Sequence, residues 1–187
     1  KPSMVLLALS LLLRVNKGAK SLEISTAQIK ELRAKCGAGI MECRNSLFDA
    51  KGDMEDALKM LKERGQLKAA RKAESATGQG LVESYIHIGC RIGAMIELNC
   101  ETDFVARTNE FKELAHNLAM QVAAQDPQYV SKEEIPQGDE REIETACLLL
   151  QPYIRDTSKT VQDIIVETIV MVGENIKVSR FARFELG

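Results

Sequence analysis

Between Asn99 and Arg107 the apolar rhythm of this chain changes period. Upstream, Ile92, Ala94, Ile96, Leu98 and Cys100 alternate, the mark of a strand with one buried face. Downstream, Phe111, Leu114, Leu118 and Val122 recur at helical spacing. The stretch between them, Asn99-Cys100-Glu101-Thr102-Asp103-Phe104-Val105-Ala106-Arg107, sets an acid beside an aromatic where strand hands over to helix. Read from the residues alone it is a corner, with Thr102 or Asp103 as helix cap and Phe104 half-buried.

The elements around this corner follow from the same two periods. Val82, Ser84, Ile86 and Ile88 alternate ahead of Ile92–Cys100, which predicts a hairpin turning at Cys90. That register pairs Ile88 with Ile92, Ile86 with Ala94 and Val82 with Leu98, and leaves His87 with Tyr85 and Glu97 on the polar face. Asp126-Pro127 stops the helix after the corner, and 127–139 reads as a polar loop. Ile143, Ala146 or Cys147, Leu150 and Ile154 predict a further helix. Thr160-Val161-Gln162-Asp163 opens another, with Ile164, Ile165, Thr168, Ile169 and Val172 inward and Gly173 at its end. The final segment alternates from Ile176 through Val178, Arg180, Ala182, Phe184 and Leu186, and should pair with the hairpin. The fold class is α+β, a small antiparallel sheet packed against helices.

Ahead of this core, residues 22–66 predict a compact three-helix module. Ser25 and Gln28 make a capping box, and Ile29, Leu32 and Cys36 share one helix face. Gly37-Ala38-Gly39 turns the chain into a second helix with Cys43 and Leu47 inward. Ala57, Leu58 and Leu61 belong to a third, with Gly65 read as its stop. Ile40 and Met41 either close the small core or form an exposed apolar patch; the residues alone leave both open. Residues 67–80 read as a polar linker, and 81–187 as the core domain. Residues 1–21 stand apart. Met4 to Leu13 is apolar, flanked by basic residues and too short to span a bilayer. It is read as an appendage outside the functional fold, with a signal-peptide core or transit-peptide remnant as alternatives.

Composition excludes several functions. Net charge is −2; four cations and no acid in residues 1–22 leave −6 on the remainder. Such a body lacks the clustered Lys and Arg that phosphate contacts need, so no nucleic acid is expected as a direct partner. The five cysteines include no C-x-x-C pair, so neither a disulfide scaffold nor a zinc site is expected. No phosphate loop, metal-ligand cluster or nucleophile motif occurs, and Glu133 and Glu134 read as solvated. The expectation is a binding protein with no catalytic residues, metal or cofactor.

Three segments carry a resemblance to a known family. Leu32-Arg33-Ala34-Lys35-Cys36-Gly37-Ala38-Gly39-Ile40-Met41-Glu42-Cys43 resembles the N-terminal module of bacterial elongation factor Ts, which has the ubiquitin-associated three-helix fold. Asn99 to Arg107 resembles that family's core signature. Gly173-Glu174-Asn175-Ile176 with Arg180-Phe181-Ala182-Arg183-Phe184 resembles its closing corner. Together they cover residues 22–187. The resemblance implies a translation elongation factor that exchanges guanine nucleotide on elongation factor Tu, met in its GDP-bound form. It implies that Thr102, Asp103, Phe104 and Val105 disturb the Mg²⁺ site of that GTPase. It further implies that Arg33, Ile40 and Met41 form a second contact. One core and no coiled-coil insertion match the family's short forms, which implies a homodimer. The implied setting is the bacterial cytoplasm, or an organelle matrix, with no membrane association. The alternative is a ubiquitin-associated-type adaptor that binds a partner helix through Ile40 and Met41 without exchange activity.

Overall fold

The computed structural model describes residues 24–138 and 140–187. The apolar appendage of residues 1–21 lies outside the described residues. Three helices open the described chain: α1 (Thr26–Cys36), α2 (Ile40–Asp49) and α3 (Met54–Lys72). Ser25 caps α1 in a capping box with Gln28, and Gly37 ends it at φ +67°, a left-handed conformation that costs glycine little. Asp53 caps α3 through the amides of Glu55 and Asp56. Leu32, Ala38, Cys43, Leu47, Ala57 and Leu61 close a core of their own between these helices.

The third helix does not stop at Gly65. The helix runs to Lys72, so the polar linker shrinks to the few residues after it. The missing Cβ of Gly65 explains the glycine: one built there would lie 3.0 Å from Val170 Cγ2 on the later helix Val161–Val172. Gly65 is a crossing point between helices, not a cap.

The core domain pairs β1 (Gln79–Ile86), β2 (Ile92–Cys100) and β5 (Ile176–Glu185) in an antiparallel sheet of order β1-β2-β5. Helix α5 (Asn109–Gln125) packs on β1 and β2, and α7 (Val161–Val172) packs on α5 and α3. Ala94, Ile96, Leu98, Phe111, Leu118, Val122, Val161 and Ile165 are buried between these layers. Thr160 and Asp163 form a capping box at the start of α7, and Gly173 ends it.

Two strands differ from the pattern read in the sequence. The hairpin register is Leu81 with Leu98 and Tyr85 with Ala94, one residue from the expected pairing. That slip turns Val82, Ser84 and Ile86 to the outer face, because side chains alternate along a strand. The inner face of β1 carries Leu81, Glu83 and Tyr85. Glu83 meets His116 on α5 at 3.1 Å, and the Tyr85 hydroxyl meets His87 Nδ1 at 3.1 Å. His87 therefore lies with Tyr85 but not with Glu97, which faces outward. In β5 a bulge at Ser179 sits between the pairs Arg180–Glu97 and Val178–Leu98. Beyond it Phe181 and Arg183 turn inward, and Ala182 and Phe184 outward. Arg183 donates from Nε to the Ala123 carbonyl at 3.0 Å, placing a cation at the C-terminal end of α5.

The helix expected through Ile154 is also absent. In its place stand the short helix α6 (Ile143–Ala146), a 3₁₀ turn at Leu148–Leu150, and the ribbon of β3 (Pro152–Tyr153) with β4 (Asp156–Thr160). Pro152 has no amide hydrogen and ends any helix there. Buried Gln121 serves this irregular backbone: its Nε2 donates to the Pro152 carbonyl and to Gln151, and its Oε1 accepts from the Ile154 amide.

Candidate functional site

The corner after β2 is built by four hydrogen bonds from distant parts of the chain. Cys100 ends the strand fully buried, and its Sγ lies 3.1 Å from the Thr102 carbonyl. Burial pushes the Cys100 thiol up, and the nearby Glu174 carboxylate adds to the shift. Glu101 accepts from the Asn175 amide at 2.7 Å and from Lys72 Nζ at 3.0 Å. The Asn175 amide, then the Lys72 ammonium, hold the Glu101 carboxyl below the usual carboxylate range. Thr102 donates its amide and its hydroxyl to the two oxygens of Glu174, at 2.9 and 2.6 Å. Thr102 is thus the N-cap by position only, since its hydroxyl serves Glu174 rather than the helix start.

The corner then makes one helical turn, α4 (Asp103–Ala106). Asp103 accepts from Arg107 Nη2 at 2.7 Å, so its carboxylate is oriented along the surface. Phe104 is 78% exposed, not half-buried as a plain structural corner would have it. Val105 and Ala106 face the other way into the core. A four-residue turn has no stability of its own. It is held by the Glu174 clamp in front and by burial of Val105 behind.

No pattern in the sequence marks Glu174, Asn175 and Lys72 as partners of this corner. They supply the clamp. Asn175 also donates from Nδ2 to the Ser75 carbonyl at 3.0 Å, so one corner after α7 ties the end of α3 to the start of α4. The signal was present in Gly173-Glu174-Asn175-Ile176, a segment picked out by resemblance but not by chemistry.

A second exposed group lies on the three-helix module. Ile40 is 55% exposed and Met41 60%, at the start of α2, and Arg33 is exposed on α1. Of the two readings left open, Ile40 and Met41 take the exposed one. Glu42 beside them is paired with Lys68 of α3. Among the described residues, no group of three or more His, Cys, Asp or Glu is placed to hold a metal ion. No described helix is long and apolar enough to cross a membrane.

Fold and corner together define a class: an α+β protein that displays a clamped aromatic beside an oriented carboxylate. Comparison with known proteins gives that class its family. A family model described as Elongation factor TS matches residues 38–142, more than half of the chain. A protein of Thermoanaerobacter sp. (strain X514) named Elongation factor Ts is 45% identical over 194 positions, covering 88% of this chain and 95% of the relative. One of that name from Thermotoga neapolitana is 44% identical, covering 89% and 98%. The chain belongs to the elongation factor Ts family, whose role is in translation elongation.

Proposed function

We propose that this chain is the guanine-nucleotide exchange factor of elongation factor Tu, binding its GDP-bound form and promoting GDP release. One observation carries the reading: Phe104, large and apolar, stands 78% exposed on a turn fixed from both sides. An aromatic left in water is worth about 1.5–3 kcal/mol when a partner buries it. Held rigid beforehand, it loses little freedom on docking.

Phe104 wedges between elements of the GTPase that support its bound Mg²⁺, and Asp103, oriented by Arg107, engages the same region. Mg²⁺ is the main charge neutralising the nucleotide phosphates, so displacing its supports weakens GDP binding. By linkage, GDP weakens the binding of this chain by the same factor. The factor makes and breaks no covalent bond and is not an enzyme. Thr102 and Val105 serve from behind, one through Glu174 and the other through burial. Arg33, Ile40 and Met41, on a module of the ubiquitin-associated type, grip a second surface of the GTPase.

The working unit is a homodimer. Support comes from the outer face of the sheet, where Val82, Ile86, Met95 and Phe184 are exposed side by side. A sheet in a chain of this size needs cover on both faces when both are apolar. The setting is the bacterial cytoplasm. The test is release of fluorescent GDP from elongation factor Tu in excess unlabelled GDP. The reading expects acceleration that saturates with added chain. No acceleration by folded chain overturns it.

A further inference from the structure

We infer that Cys36 and Cys43 form a dithiol site that a hydroperoxide oxidises to an intramolecular disulfide across the α1–α2 turn. The two sulfurs lie 3.8 Å apart, in van der Waals contact. A bond requires them to close to about 2.05 Å. Spacing rules overlook the pair because seven positions separate the residues. The left-handed Gly37 folds the chain back and brings them together.

The two thiols have different access. Cys36 is half-buried and lines a groove of about 280 Å³ between the three-helix module and α7, open to a small oxidant. Cys43 lies behind it, fully buried, with its Sγ 3.7 Å from the Ala38 carbonyl. Burial first, then the neighbouring Cys36, push the Cys43 thiol up to about 11, so it stays protonated at neutral pH. Its access makes Cys36 the sulfur that meets the oxidant; Cys43, in contact behind it, resolves it and gives up its proton only as it attacks. Cys100 and Cys147 are buried without a sulfur partner, and Cys90 is exposed alone.

The chemistry balances in two steps. Cys36 sulfur attacks one oxygen of the hydroperoxide; the O–O bond breaks, the thiol proton goes to the departing alcohol, and Cys36 becomes a sulfenic acid. Cys43 sulfur then attacks Cys36 sulfur; the S–O bond breaks, and the Cys43 proton leaves with the hydroxyl as water. Two thiols and one hydroperoxide give one disulfide, one alcohol and one water. The bridge closes over the turn that leads into Ile40 and Met41. At Gly37 that turn also abuts the core helix, where an added Cβ would lie 2.6 Å from Met171 Cε.

The site stands independently of the exchange reading, and its test needs no GTPase. The full chain carrying Cys90→Ser is treated with hydrogen peroxide under native conditions, alkylated in denaturant and mapped by peptide mass. The expected product links Cys36 to Cys43, lacks two hydrogens, and regains both alkylation sites after dithiothreitol. On the same background Cys43→Ser should leave Cys36 as a sulfenic acid trapped by a 1,3-dione. Full alkylation of both residues after peroxide overturns the inference. So does over-oxidation of Cys36 to sulfinic acid while Cys43 stays a free thiol.

Discussion

Phe104 and Thr102 sit two residues apart and should respond to substitution in opposite ways. Phe104 touches solvent, so Phe104→Ala should move stability by no more than about 0.5 kcal/mol while lowering exchange at least tenfold. Urea denaturation and GDP release, measured on one preparation, check both halves. Thr102 donates twice to a carboxylate, so Thr102→Val removes a hydrogen bond to charge and leaves Glu174 half-served. The expected cost is about 2 kcal/mol, read by the same denaturation. Glu101 adds a dependence on pH. Its carboxyl is held low in the folded chain by Asn175 and Lys72. Its contribution is therefore present above the ordinary carboxylate value of about 4.3, and is lost as pH falls through the lowered one. Wild type should exceed Glu101→Gln in stability at pH 7, and by less at a pH below the ordinary carboxylate value. An equal gap at both pH values would contradict the assignment.

At the scale of elements, sequence pattern reaches β2, α1, α5 and α7 because each has one clearly apolar face, and capping residues bound the helices. Ser25 and Thr160 start helices as read, and Gly37 and Gly173 end them. Elsewhere the period was correct and the face was not. In β1 both faces look plausible: Leu81, Glu83 and Tyr85 point inward because Glu83 finds His116, while Val82 and Ile86 stay outside. In β5 one unpaired residue, Ser179, exchanges the faces of everything after it, and no local pattern announces a bulge. Gly65 misled for a related reason. A glycine after a helical stripe reads as a stop, but here it makes room for Val170 of a helix distant in sequence. Gly65→Leu should accordingly force α3 and α7 apart and cost about 1–3 kcal/mol, measurable by thermal melting. The corner itself was legible as a place but not as a device. The residues that clamp it, Glu174 and Asn175, lie about seventy positions away, and a sequence does not display that proximity.

At the scale of the molecule, the three-helix module is fastened to the core rather than strung from it. Lys72 reaches Glu101 at the corner, and Lys62 reaches Asp163 at the start of α7 at 3.4 Å. The two exposed groups, Phe104 with Asp103 and Ile40 with Met41, are thus carried on one connected frame. The outer sheet face belongs to the same scale. Gly93 of β2 lies between Ile86 and Phe184 on the neighbouring strands, and the Ile86 side chain covers it. A charge placed there should prevent association of two copies. Phe184→Glu should sediment as a single chain at concentrations where wild type sediments as a pair. A wild type that sediments as a single chain would rule out the dimer.

The proposed exchange activity rests on a clamped, exposed aromatic and its neighbouring carboxylate. The most direct measurement compares release of fluorescent GDP from elongation factor Tu by wild type and by the double variant Asp103→Ala, Phe104→Ala. Circular dichroism first establishes that both are folded. Loss of acceleration in the variant, with its melting curve preserved, is the predicted result. Acceleration equal to wild type by the folded variant would contradict it.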